Sequence, residues 1–76
     1  MNKIRRKNLQ AVIGMIEDAK STLEDLLAEE EEYRDNIPEN LQESERYETA
    51  DNACSCLDDA VNSLEEAICS IEESIE

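Results

Sequence analysis

Cysteines and carboxylates are the residues of this chain that could do chemistry, because the sequence contains no histidine. Cys54 and Cys56 form a Cys-x-Cys pair, and Cys69 is the third thiol. Residues two apart on a helix point about 200° apart, so Cys54 and Cys56 cannot bind one metal ion there. Three cysteines without the spacing of a disulfide framework are typical of a reducing compartment. We therefore expect no metal site and no cofactor.

Enzymatic catalysis needs a general base, an activated nucleophile or a phosphate-binding loop. The sequence has one glycine, and no serine or cysteine has a neighbouring base. The acidic run from Glu29 to Glu32 lacks the Asp-x-Asp-x-Asp-Gly pattern of a calcium loop. We expect self-repulsion there, near the turn, rather than an ion site. The sequence therefore predicts no catalytic residues and a protein that is not an enzyme.

The acidic residues are nevertheless ordered, since adjacent pairs of them recur every seven residues and so form stripes on helices. Such stripes could imitate the phosphate rows of a nucleic acid and occupy the basic groove of a nucleic-acid-binding protein. The alternative is a solvated face that keeps a small protein soluble. The candidate partner-binding residues are Glu17, Asp18, Glu24, Asp25, Asp58, Asp59, Glu65 and Glu66.

Apolar residues spaced by three and four predict two long helices, and the short connection between them requires the helices to be antiparallel. The predicted fold is all-α, one antiparallel two-helix hairpin over residues 1–76, with helices at about 3–33 and 44–75 and a turn at 34–43. The predicted seam of the first helix is Leu9, Val12, Ile16, Ala19, Leu23, Leu26, Glu30 and Tyr33. That of the second is Tyr47, Ala50, Cys54, Leu57, Val61, Leu64, Ile68, Ile71 and Ile75.

The turn is predicted to be structured, because Pro38 disfavours helix at the preceding residue. Ile37 and Leu41 are apolar enough to close the end of the core, and Ser44 is the expected N-cap of the second helix. Around them lies a polar cluster that could be a recognition tip or could simply satisfy backbone groups of the turn. That cluster consists of Arg34, Asp35, Asn36, Glu39, Asn40 and Arg46, between Tyr33 and Tyr47, which we expect to stack.

Matching the two seams places Tyr33 opposite Tyr47 and pairs acids with bases across the flanks. The expected ion pairs are Arg6 with Glu72 and Lys20 with Asp58. These pairs would offset the unfavourable placement of bases at a helix N-terminus and acids at a C-terminus.

Several apolar residues lie off the seam and are expected to remain partly exposed on a lone hairpin. A second copy packing there would complete a four-helix bundle, so we expect a homodimer. A heterologous partner helix or a monomer with incidental exposure are the alternatives. The candidate oligomer contacts are Ile13, Met15, Leu27, Ala53, Ala60 and Ala67.

Charge is segregated along the chain, which has a formal net charge of −14. Basic residues crowd positions 3–7, and all 21 acidic residues lie at Glu17 or later. An acidic body repels nucleic acids and anionic membranes and favours basic protein surfaces. No stretch approaches the ~20 apolar residues of a membrane-spanning helix, and the start lacks a signal-peptide pattern. We expect no direct nucleic-acid or membrane binding and a cytoplasmic location.

The turn segment EEYRDNIPENLQ, residues 31–42, followed by SERYE, residues 44–48, resembles short uncharacterised acidic helical-hairpin proteins of Firmicutes phages and mobile elements. The similarity extends more loosely over Leu57 to Glu73. The resemblance implies no catalytic residues and only a genetic setting, a bacterial or phage-infected cell, in which small acidic proteins inhibit host defence or modulate DNA transactions. The resulting hypothesis is a non-catalytic protein that binds a protein partner, and the alternative is a self-assembling helical module.

Overall fold

The computed structural model describes residues 1–41 and 44–76, and it shows an all-α antiparallel hairpin. Helix α1 spans Lys3–Asp35 and helix α2 spans Glu45–Ile75, with a 3-10 turn at Glu39–Leu41 between them. The hairpin is a rod of 59 × 15 × 13 Å. The predicted fold class is therefore confirmed, and α1 continues two residues past its predicted end.

Side-chain caps fix where both helices begin. The Asn2 carboxamide oxygen accepts a hydrogen bond from the backbone N–H of Arg5 at 2.7 Å. Ser44 caps α2 as predicted, since its hydroxyl accepts from the backbone N–H of Tyr47 at 3.3 Å and donates to the carbonyl of Leu41. Each cap satisfies a backbone donor that has no partner within the helix.

The turn closes one end of the hairpin through a single apolar side chain. Ile37 is only 3% exposed, which confirms its predicted role at the end of the core. Leu41 was expected to share that role, but it is 42% exposed, at the end of the 3-10 turn. One buried side chain is sufficient because the narrow end of a two-helix rod has little apolar area to cover. The predicted turn also includes Gln42 and Glu43, which lie outside the described residues.

Helix α2 packs along its predicted seam. Ala50, Cys54 and Ile68 are buried, with 3%, 4% and 5% exposure. The remaining seam residues are half-buried, as expected for a core that is covered by one other helix. These residues are Tyr47, Leu57, Val61, Leu64, Ile71 and Ile75.

Helix α1 packs along a seam that differs from the predicted one in every second residue. Leu9, Ile16, Leu23 and Glu30 are half-buried as predicted. The prediction was wrong for the residues between them, where the half-buried set is Ile13, Lys20, Leu27 and Arg34 and the exposed set is Val12, Ala19, Leu26 and Tyr33. Ile13 and Leu27, proposed as oligomer contacts, therefore lie against α2.

Helix α1 is thus rotated relative to the prediction. The physical reason lies in the residues that alternate with the four seam residues common to the prediction and the structure. The exposed set is the more apolar one, since it has Ala19 and Tyr33 where the observed set has Lys20 and Arg34, so apolar burial alone does not explain the choice. The observed set adds Lys20 and Arg34, whose aliphatic stems cover apolar surface while their charged ends reach α2. Those ends bind Glu65 and Asp51, which are exposed on α2.

The two helices end at different heights at the open end of the hairpin. Ile75 and Glu76 lie beside Gln10 and Ile13, around a shallow depression. Residues 1–8 are all exposed. The first part of α1 therefore extends beyond α2 by about two turns.

Candidate functional site

The interhelical interface has two long flanks of opposite chemistry. On the acidic flank, a row of α1 residues spaced by seven and ending at Arg34 lies against a similar row of α2 residues that begins at Asp51. The other flank begins at the turn with the contact between Tyr33 and Arg46, and the residues beyond that contact, which we call the uncharged flank, carry no charge. Members of each row are seven residues apart and share one helix face. The acidic flank comprises Ile13, Lys20, Leu27 and Arg34 with Asp51, Asp58, Glu65 and Glu72; the uncharged flank comprises Val12, Ala19 and Leu26 with Ala53, Ala60 and Ala67.

Lys20 bridges the two helices on the acidic flank. Its Nζ lies 2.6 Å from Oε2 of Glu65 on α2 and 4.0 Å from Oε1 of Glu24 on its own helix. The hydrogen bond that Lys20 donates to the carboxylate of Glu65 raises the pKa of Lys20, and the charges of Glu24 and Glu17 add to that effect. A raised lysine pKa means that this pairing is present at neutral pH and is lost only as the pH rises above 10.5.

Arg34 makes the second bridge of the acidic flank, next to the turn. Its Nη1 donates to Oδ1 of Asp51 at 3.0 Å, and its Nε donates to Oδ1 of Asp35 at 3.0 Å. The hydrogen bond with Asp35 is the largest of the causes that raise the pKa of Arg34. Within the predicted polar cluster at the turn, Arg34 therefore joins the two helices through Asp51 and also binds Asp35 of its own helix.

The predicted cross-helix ion pairs are wrong. Lys20 binds Glu65 rather than Asp58, one heptad further along α2. Glu72 lies beside Gln10 and Ile13, and within the described part of the chain it forms no ion pair with Arg6. Both errors have the same cause. Because α1 is rotated relative to the prediction, Lys20 lies in the seam rather than at its edge.

The eight candidate partner-binding carboxylates are all exposed, but they do not form one surface. Four of them face the acidic flank, where Glu24 and Glu65 are engaged by Lys20. The other four each follow a flank residue by one position and so point about 100° away, onto the outer faces of the helices. The flank set is Glu17, Glu24, Asp58 and Glu65, and the outer set is Asp18, Asp25, Asp59 and Glu66.

The cysteines are separated as the helical spacing predicts. Cys54 is buried in the interface, whereas Cys56 and Cys69 are exposed, and all three are free thiols. Burial raises the pKa of the Cys54 thiol, although the nearby charge of Arg34 opposes this shift. Across residues 1–41 and 44–76, no three His, Cys, Asp or Glu side chains are grouped so that they could hold a metal ion.

Arg46 joins the helices on the uncharged flank, where sequence reasoning had expected two stacked tyrosines. The Nε of Arg46 donates to the hydroxyl of Tyr33 at 2.8 Å, and its Cζ lies 5.4 Å from the centre of the Tyr33 ring. Tyr47 is half-buried on the seam of α2. The signal for this contact was present in the sequence, since Arg46 precedes Ala53 by seven residues and so heads the alanine row.

Neither helix, within the ranges that the structure describes, has the length and apolar character needed to cross a membrane. Comparison of the chain with protein families, with curated proteins and with solved structures found no match.

Proposed function

We propose that this chain is a non-catalytic binding protein of a phage or mobile element, which acts in the cytoplasm of a bacterial host cell. Its partner would be a basic protein that binds nucleic acid, and the acidic helix faces would occupy the partner's basic site. The turn segment's resemblance to phage-encoded acidic hairpin proteins supports the genetic setting.

The observation that carries this proposal is the exposure of ordered carboxylates along a rod 59 Å long. Residues seven apart on a helix are separated by about 10.5 Å along its axis. The outer set of Asp18, Asp25, Asp59 and Glu66 is exposed and makes no ion pair among the described residues. Fixed negative charges of this kind attract a basic groove without any conformational change in the rod.

The test neutralises the four outer carboxylates and leaves both the buried seam and the bridge from Lys20 to Glu65 intact. The variant carries Asp18→Asn, Asp25→Asn, Asp59→Asn and Glu66→Gln, and we expect it to lose salt-sensitive capture of a basic protein from host lysate. A matched control neutralises four carboxylates at the ends of the rod, through Glu29→Gln, Glu32→Gln, Glu39→Gln and Glu76→Gln. Both variants reduce a net charge of −14 by the same four charges.

Comparison of the two variants separates binding from solubility. If the control still captures the partner and the stripe variant does not, the carboxylate stripe is a binding surface. If both variants fold, bind as the parent does and only aggregate more readily, the acidity serves solubility and the mimicry proposal is wrong. Circular dichroism melts of both variants establish that the helices are intact.

A second candidate function, a self-assembling helical module, is favoured by a different observation. Val12, Met15 and Leu26 are 38%, 68% and 48% exposed on α1, although the chain has few large apolar residues to spare. These side chains extend the uncharged flank, so a homodimer that covers it would form a four-helix bundle.

A further inference from the structure

Helix α1 has two neighbouring faces that could pack against α2, and the structure packs the less apolar of them there. This bridged face contains a lysine and an arginine where the unbridged face, left in solvent, has an alanine and a tyrosine. Apolar burial alone therefore favours the face that the structure leaves exposed. The bridged face is Ile13, Lys20, Leu27 and Arg34, and the unbridged face is Val12, Ala19, Leu26 and Tyr33.

Ion pairs to α2 distinguish the two faces. Lys20 binds Glu65 with 2.6 Å between Nζ and Oε2, and Arg34 binds Asp51 with 3.0 Å between Nη1 and Oδ1. The unbridged face has no charged residue and cannot form such a pair. The two carboxylate side chains are 53% and 55% exposed, so both pairs are weak and are screened by salt. The seam of α1 is therefore selected by interactions that a neutral substitution or salt can remove.

A small motion separates the two packings. The four seam residues that lie between the two faces stay against α2 in either case, so α1 only has to roll about its own axis by about 50°, half the 100° between successive residues. On the side toward which α1 would roll, α2 presents small side chains, which leave room for the unbridged face. These are the half-buried Ala53, Ala60 and Ala67. Tyr33 already contacts Arg46 on that side, so this contact does not oppose the roll.

We propose that α1 is a charge-controlled switch. When the carboxylates of Asp51 and Glu65 are neutralised or screened, α1 rolls, the unbridged face packs against α2, and Lys20 and Arg34 turn into solvent. The roll removes Leu26 from the surface, so the state of the acidic flank controls the exposure of the uncharged flank. A basic partner that competes for these carboxylates would have the same effect. That consequence rests on the proposed function, whereas the roll itself does not.

The strength of the two ion pairs sets the size of the expected effect. An exposed ion pair changes the ratio of two states by roughly two- to fivefold. Two pairs that act independently change it by about 5- to 25-fold. Removing both pairs is therefore expected to raise the population of the rolled state at least about fivefold.

Two matched variants of the full chain separate the bridging carboxylates from their neighbours. The bridge variant carries Asp51→Asn and Glu65→Gln and removes both ion pairs between the helices. The control variant carries Asp58→Asn and Glu72→Gln. It removes the same two charges from the same row of α2, and it breaks no ion pair of the described residues.

Methyl NOE spectra at low salt report which face of α1 lies against α2. Leu27 and Ser55 line a common depression in the bridged packing, whereas the rolled packing brings Leu26 toward Cys54. The ratio of the Leu26–Cys54 cross-peak to the Leu27–Ser55 cross-peak is expected to rise at least about fivefold in the bridge variant. In the control variant it is expected to stay close to its value in the parent.

The outcomes are decisive for the switch and independent of partner capture. An unchanged ratio in the bridge variant, with helicity retained by circular dichroism, overturns the switch, because the seam would then be fixed by packing. An equal rise in both variants also overturns it, because total charge would set the seam. If the bridge variant unfolds, the unmodified chain in about 1 M salt decides, since screening there is nearly complete beyond about 3 Å. No rise in the ratio under that condition overturns the proposal.

Discussion

The acidic and uncharged flanks border the same interface, yet the first is joined by ion pairs between the helices and the second leaves apolar side chains exposed. On the acidic flank, Lys20 and Arg34 reach across to carboxylates of α2, and both cations have their hydrogen bonds within the chain. On the uncharged flank, Arg46 and Tyr33 make one contact at the turn, and the apolar residues beyond them face solvent. A flank that is cross-linked by its own charges gains little from a partner, whereas an uncharged flank with exposed Leu26 gains apolar burial.

The first prediction contrasts the centre of the interface with its uncharged flank. Ile68→Ala is expected to destabilise the hairpin by about 2–4 kcal/mol, because it leaves a cavity in the buried seam. Leu26→Ala removes a side chain that is 48% exposed, so in the isolated hairpin it is expected to cost about 0.5 kcal/mol or less. Urea unfolding at low protein concentration measures both. Equal losses would mean that Leu26 is part of the seam and that the division between the flanks is wrong.

The second prediction concerns a residue that belongs to neither flank. Gly14 lies within α1, and a Cβ added there meets no atom within 4 Å. Gly14→Ala is therefore expected to stabilise the protein by about 0.5–1 kcal/mol through helix propensity alone. The gain should be the same at low and high protein concentration, because this position does not contact either proposed surface. A loss of stability, or a gain confined to the dimer, would contradict this placement of Gly14.

Much of the fold could be predicted because its determinants are local. Ser44 as N-cap, Ile37 as the closing residue and the complete seam of α2 follow from residue type and spacing. On α2, the apolar residues at seam positions have acidic neighbours at Asp58 and Asp59, so only one face can be buried. The pattern therefore admits a single solution there.

Only half of the α1 seam could be predicted, because the sequence of α1 does not restrict burial to a single face. Val12 and Leu26 lie directly beside Ile13 and Leu27 in sequence, so each of two neighbouring faces offers large aliphatic side chains for burial. The choice depends on Lys20 reaching Glu65, a contact between residues far apart in the chain, and heptad spacing contains no information about it. The same rotation decides which residues are left exposed, so the predicted oligomer contacts included Ile13 and Leu27 where the structure exposes Val12 and Leu26.

The most direct test of the central claim, that α1 packs through its acidic-flank face and leaves its uncharged face free, is a methyl NOE spectrum of the full chain. We predict intramolecular NOEs from Leu27 to Ser55 and Asp58, and from Ile13 to Ile75, since these residues line common depressions. Leu26 should show no strong intramolecular NOE to Cys54, because its side chain is 48% exposed on the uncharged flank. Strong intramolecular NOEs from Leu26 to Cys54, with none from Leu27 to α2, would contradict the account.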